Sequence, residues 1–422
     1  MKRPAPPRLA RLLLAASLAA GCGSAPPTEP LLPTASGAAA SATSSPAADA
    51  TPRPTPSERN TLPGLPTPAP SAGGGGPSDE SLAVPASAAW GEVKATRLPA
   101  AVGKGQHFVV ANAVTPDGRF VIGSVLRDGF GLTPGTEPGE AALYEVATGR
   151  VVEMARLQSV DSQVQSAAAD GDHVVWQEAA DQDGFDWRLY DYSIPTGRVR
   201  EIARAATKGG KPVPSPLSTV WASHGVIVWG QAVGAGVAEG DVSNAVVRRA
   251  DLSTGRVTTV ATRAGSPALS WPWLAWESLP ADGSWRTVLA NLETGWTGSM
   301  AATPESMAMS GVSAAFAAAD LHSIWVLDDV SRPDQARQVA RGADETDYLE
   351  WPTLNDRVVA WAQNGQSIVY DRAEGRLVTL PVAAGWASGI AGRSSLVWVE
   401  ADADGNAASI VVVDTSSLPV LP

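Results

Sequence analysis

Between residues 88 and 417 the chain alternates apolar runs of four to six residues with clusters of Gly, Asp, Pro and Ser. The runs are rich in Val, Ile and Trp, and no stretch holds a 3.6-residue apolar period over a useful length. Short β-branched runs bounded by turn formers are predicted as strands, so this region is expected to be all-β. One unit recurs: a polar turn, an apolar run ending in an aromatic, a polar loop, an alternating strand, a Thr-Gly-Arg turn and another strand. Asp172-His173-Val174-Val175-Trp176 returns as Gly225-Val226-Ile227-Val228-Trp229, Trp273-Leu274-Ala275-Trp276, Arg357-Val358-Val359-Ala360-Trp361 and Ser395-Leu396-Val397-Trp398. Weaker copies, Phe120-Val121-Ile122 and Ser313-Ala314-Ala315-Phe316, bring the number to seven.

The second half of the unit is an independent ruler. Its turns place glycines at 149, 197, 255, 295 and 375; the last gap is 80, twice the preceding 40, so one copy has lost its glycine, between Asp329 and Asp334. Glycine serves there because a tight turn between antiparallel strands commonly needs a positive φ. Repeats of this length with four short strands are the units of a β-propeller, in which a single blade cannot bury its own faces. The expected fold is therefore seven four-stranded blades, with six as the alternative because Ile122 is a weak anchor. The last unit leaves only Leu418-Pro419-Val420-Leu421-Pro422 for a fourth strand, and two prolines make a poor one. Trp90-Gly91-Glu92-Val93-Lys94-Ala95-Thr96-Arg97 is similar to Thr254-Gly255-Arg256-Val257-Thr258-Thr259-Val260-Ala261. An N-terminal strand near residues 90–98 is expected to complete the last blade and close the ring.

Thr115-Pro116-Asp117-Gly118, with the strand and Thr-Gly rhythm around it, resembles the TolB-like propellers, relatives of the Trp-Asp repeat class, in which a Pro-Asp-Gly turn joins two strands. The resemblance covers residues 88 to 417 and implies an architecture. It leaves activity open, because one fold hosts many functions. The α/β domain that precedes the propeller in TolB has no counterpart in this sequence.

Upstream the pattern changes. Lys2, Arg3, Arg8 and Arg11 precede an apolar run over residues 12–20 and then small residues, the layout of a secretory signal. Such a run spans only about 14 Å as a helix, well short of a bilayer core. Leu18-Ala19-Ala20-Gly21-Cys22 resembles a bacterial lipoprotein box, although the strongest form has Leu where Ala19 stands. The resemblance implies a signal peptide over 1–21 and acylation of Cys22, the single cysteine, which would hold the chain on a bacterial membrane at the cell surface or in the periplasm. Residues 22–85 read as the lipidated Cys and a disordered tether. Of the 63 positions from 23 to 85, 49 are Pro, Ala, Ser, Thr or Gly and none is aromatic, too little apolar surface to offset the entropy of ordering. Residues 86–422 are then the propeller.

Charge and composition narrow the functional classes. The 422 residues carry 31 Lys+Arg against 43 Asp+Glu, a formal charge of −12, and the acid excess lies in the propeller region. This argues against a nucleic-acid surface, which needs clustered cations. One cysteine excludes a disulfide framework. His107, His173, His224 and His322 neither pair with Cys nor recur at i, i+4 on a helix, so no metal site is expected. Asp181-Gln182-Asp183-Gly184-Phe185-Asp186 and Asp402-Ala403-Asp404-Gly405-Asn406 look like calcium-loop fragments, but the twelfth positions hold Tyr192 and Val413 instead of Glu. Hairpin turns are the expected reading, and no cofactor is implied.

No Gly-x-Ser-x-Gly elbow occurs, and enzyme activity is not expected. Trp221, Trp271, Trp351 and Trp386 lie 5 to 12 residues before the core tryptophans, near the innermost strands. They are the candidate ligand-binding residues, placed to stack on sugars or peptides at the channel mouth, with packing between sheets as the alternative. Trp271-Pro272 and Trp351-Pro352 favour strand ends. The expected function is that of an exported, lipid-anchored, non-catalytic binding or scaffolding module of the cell envelope. Its partners would be the membrane and an envelope protein, peptide or glycan. The alternative is a propeller enzyme acting on glycans or peptides in the central channel.

Overall fold

A computed structural model describes residues 78–79 and 83–420, apart from 128–136, 181–185, 214–218, 234–241, 301–303, 345, 382–389 and 403–406. Cys22 and the signal lie outside the described residues, as do most positions of the two calcium-like fragments. Antiparallel sheets follow one another at residues 106–156, 163–204, 221–262, 264–300, 306–341, 349–380 and 390–414; we number them blades 1 to 7. Within each blade the strands pair in chain order from the axis outward. The innermost strands touch their neighbours all the way round, with Ile390–Ala391 of blade 7 meeting Gln106–Val114 of blade 1. The chain is thus a seven-bladed propeller.

Blade 7 has only three strands of its own, and Ala95–Pro99 takes the outer place, antiparallel to Ala407–Asp414 with Ala95 opposite Val413 and Pro99 opposite Ser409. The chain reaches that place along the rim. Ser78–Asp79 lies parallel to Arg337–Arg341 of blade 5, and Val84–Pro85 lies parallel to Arg376–Leu380 of blade 6. Residues whose composition reads as tether therefore extend two sheets, and the folded body begins before residue 86. An outer strand presents unpaired N–H and C=O groups that an added backbone satisfies whatever its side chains. Trp90 is not part of the closing strand. It ends the short helix Ala86–Trp90 and is buried between blades 6 and 7.

Every apolar cluster joins two neighbouring blades, seven clusters for seven interfaces. The wedge in most of them is the fourth residue of the second strand: Trp176, Trp229, Trp276, Phe316, Trp361 and Trp398 in blades 2 to 7. Trp176 and Trp361 are fully buried, whereas Trp276 is partly exposed. In blade 1 the same register falls on Gly123, not on Ile122, which faces the opposite neighbour. A side chain at 123 would run into Phe108, whose Cε1 lies 2.7 Å from where its Cβ would stand. Phe108, on the innermost strand and packed on Tyr144 at 5.1 Å, thus fills the tryptophan's place. The Thr-Gly rhythm also has a mechanical origin. The N–H groups of Gly149, Gly197, Gly255, Gly295 and Gly375 each donate to the carbonyl four residues back at 2.8–2.9 Å, with φ between 65 and 73°. In blade 5 a 3-10 turn, Pro333–Gln335, replaces this arrangement.

A buried polar knot secures the closure. Asp371 is fully buried; it accepts from Trp90 Nε1 and from Arg357 Nη2, each at 2.9 Å. Arg357 Nη2 also donates to the Pro419 carbonyl at 2.9 Å, and Arg376 donates to the Ala89 carbonyl at 2.7 Å. One carboxylate therefore holds the entering chain and the departing chain to blade 6. Asp371→Ala leaves the half-buried Arg357 without its counter-charge and the buried Trp90 Nε1 without its acceptor, and we expect a loss of about 3 kcal/mol, read as a lowered denaturation midpoint; an unchanged midpoint would show that the knot does not hold the ring.

Candidate functional site

First and second strands join at one face of the ring, as do third and fourth strands; this is the turn face. The opposite face carries the loops between second and third strands and the crossovers to the next blade. The candidate tryptophans divide between them. Trp221 opens the inner strand Trp221–Ser223 of blade 3 and packs against the clusters at the 3–4, 4–5 and 5–6 interfaces. A side chain rooted on blade 3 meets all three only by lying across the ring interior. Trp221 therefore occludes the channel instead of lining an open one, and its buried Nε1 has no hydrogen-bond partner among the described residues.

Trp271 sits in the turn between Ala264–Ser270 and Trp273–Ser278, at a strand end as its proline suggests. Its indole stacks on His224 at 5.1 Å and 17°, donates from Nε1 to Glu293 Oε1 at 2.9 Å, and has the Arg249 guanidinium 5.6 Å from its ring. These contacts staple blade 3 to blade 4 at the turn face. Of these partners only His224 was weighed in the sequence, as a metal ligand; Arg249 and Glu293 carried no local signal there.

Trp351 differs from the strand-end expectation. It lies inside the innermost strand Leu349–Leu354 of blade 6, where the pairing register shifts between Glu350 and Thr353. A bulge tolerates proline because the N–H it lacks has no ladder partner there. Trp351 is 37% exposed and has φ of 51°. Positive φ is an outlier for a bulky non-glycine residue and costs roughly 1–3 kcal/mol. Trp386 lies outside the described residues. The structure thus brings Trp221 and Trp271 to one interface and leaves Trp351 as the solvent-facing aromatic of an innermost strand.

Two carboxylates add electrostatic detail. Asp191, buried between blades 2 and 3, pairs with His173 Nδ1 and with Arg200 Nε, both at 2.8 Å, and Arg200 also donates to the Leu252 carbonyl of blade 3. A His-Asp pair orients an imidazole as a general base would need. Among the described residues, no hydroxyl bonds to its other nitrogen to serve as a nucleophile. Glu178, near the opposite face of blade 2, accepts from the Gln158 N–H at 2.6 Å, yet burial pushes its carboxyl above the usual carboxylate range. No group of His, Cys, Asp and Glu suited to a metal ion occurs among the described residues.

No family model and no curated protein matches the chain. Solved structures similar to it include a prolyl endopeptidase, at 10% identity and a TM-score of 0.48 over 77% of this chain and 49% of that one. The chain spans about half the length of that enzyme. The β-propeller domain of the Trilobed protease from Pyrococcus furiosus, described as having an open velcro topology, matches at 10% identity and a TM-score of 0.46, covering 74% and 95%. TolB from Acinetobacter baumannii matches at 12% identity and a TM-score of 0.35, covering 56% and 55%.

These placements have measurable consequences. Trp221→Ala removes a ring packed across several interfaces and should cost about 3–5 kcal/mol. Trp351→Gly removes left-handed strain and should melt at or above the wild-type temperature; the reverse order would mean that Trp351 is the structural residue and Trp221 the dispensable one. For Glu178, a folded-state pKa above the unfolded value means a stability contribution present at low pH and lost as pH rises through the raised value. Glu178→Gln should therefore raise the melting temperature at about pH 7 but not at about pH 4, and an equal gain at both would remove the burial effect. The described residues of the chain form a seven-bladed β-propeller.

Proposed function

We propose that the protein is an exported, lipid-anchored propeller that serves as a non-catalytic binding or scaffolding module of the bacterial cell envelope. Cys22 carries the anchor, the Pro- and Ala-rich segment spaces the ring from the membrane, and the ring docks an envelope protein, peptide or glycan. The observation that carries the binding role is Trp351: a strained backbone holds a large aromatic exposed on an innermost strand while Trp221 occludes the interior. Aromatic faces of this kind stack on sugars and on peptide side chains at modest cost in side-chain entropy. The second reading, an enzyme acting on glycans or peptides in the channel, has the His173–Asp191 pair in its favour.

Anchoring is tested by expressing the full chain and Cys22→Ser in a bacterium and partitioning each between detergent and aqueous phases. The wild type is expected in the detergent phase with incorporated labelled fatty acid, and the variant in the aqueous phase. A wild type that stays aqueous and unlabelled overturns the anchor.

A further inference from the structure

Outer blade edges are places where foreign strands add, and natural sheets blunt them with charge, proline, shortness or a cover. Six of the seven edges here are blunted in one of these ways. Blades 5 and 6 are covered by Ser78–Asp79 and Val84–Pro85. On blade 7, Ala95–Pro99 carries Arg97, paired with Glu400 at 3.2 Å, and ends in proline. The edge of blade 4, Thr297–Met300, is four residues long. Blade 1 ends in Arg150–Arg156, with Glu153 between two arginines, and blade 2 in Arg198–Arg204, with Arg200 and Glu201 inside.

Blade 3 is the exception. Its edge, Val257–Thr262, reads Val-Thr-Thr-Val-Ala-Thr and pairs only with Ala245–Asp251 among the described residues. Val257, Thr258, Thr259 and Thr262 are exposed. Arg256 and Arg263 bracket the strand, and Arg248 and Arg249 lie on the strand beside it. On the edges of blades 1 and 2, Arg150 is paired with Glu145 and Arg204 with Glu201, whereas none of these four has a carboxylate within 4.0 Å among the described residues. In a chain of charge −12 this rim is locally basic.

We propose that Val257–Thr262 is a strand-addition site for an extended segment of a partner protein, uncharged over its centre and carrying carboxylates near both ends. The molecule already uses this mode on itself, since blades 5 and 6 each accept an added backbone strand. Backbone hydrogen bonds would supply affinity, and the bracketing arginines would select the partner's charge. A second copy of this chain is a poor occupant. Antiparallel pairing of the edge with itself sets Arg256 of one copy against Arg263 of the other at both ends, like charges directly opposed. The inference adds a site to the binding role proposed above and does not depend on the anchor.

The test uses the full chain bearing Cys22→Ser and two labelled synthetic peptides, each six alternating Val and Thr residues, one flanked by Glu and the other by Lys. In fluorescence polarisation at low salt, the Glu-flanked peptide should bind at least about tenfold more tightly than the Lys-flanked one. Arg256→Glu should erase or reverse that preference. Thr258→Lys, an exposed blunting change, should weaken both peptides without moving the melting temperature. Absence of binding by the Glu-flanked peptide, or equal binding of both, overturns the proposal. So does sedimentation that shows a wild-type dimer abolished by Thr258→Lys, which would make a second copy the occupant. Detergent partitioning of the wild type is unaffected by any of these results, so loss of this site and loss of the anchor are separable.

Discussion

The fold depends on wedging one blade against the next. Because every apolar cluster spans two sheets, no blade excludes water alone, and the burial that stabilises one is shared with both neighbours. Large aromatics at a single register of the second strand do most of this, each leaning toward the preceding blade. A ring built in this way tolerates no open seam, since an unclosed interface would expose two apolar faces at once. The short last blade therefore calls in Ala95–Pro99, and the buried Asp371 carboxylate ties both ends of the chain to blade 6.

The same constraint decides where binding chemistry has room. Strand interiors are committed to packing, and the Thr-Gly turns consume their own polar groups: donors from Ser253 and Thr254 hold the Asp251 carboxyl down at about 2. Departures from the repeat are then the informative places. Trp351 sets an exposed aromatic in a left-handed bulge where its counterpart in blade 4 is Ser266, and blade 3 keeps an edge without the charges that protect blades 1 and 2. Seven near-equivalent sheets make each such exception visible.

Much of the architecture is legible in the residues because a propeller writes its plan locally. The wedge aromatics, the glycine at the third-to-fourth turns of five blades and the repeat length all answer to contacts within one blade or across one interface. Register in blade 1 was not legible. Ile122 and Gly123 differ by one position, and only Phe108, brought in from another strand, tells which of them faces blade 7. Trp90 fell in the segment near 90–98 expected to close the ring, but it ends a short helix with its indole bonded to Asp371, 281 positions away.

The candidate site divides in the same way. Position in the repeat, 5 to 12 residues before the core tryptophans, marked Trp221, Trp271, Trp351 and Trp386 as a set. Whether an indole crosses the axis, staples two blades or faces solvent depends on neighbours remote in the chain: His224 and Glu293 for Trp271, the clusters of three interfaces for Trp221. The sequence by itself determined the repeated strand and turn chemistry, because hydrophobic alternation and glycine's access to positive φ act over a few residues. Only the tertiary structure decided which tryptophans are covered and which edge stays bare, because those outcomes are set by surfaces that meet when the ring closes.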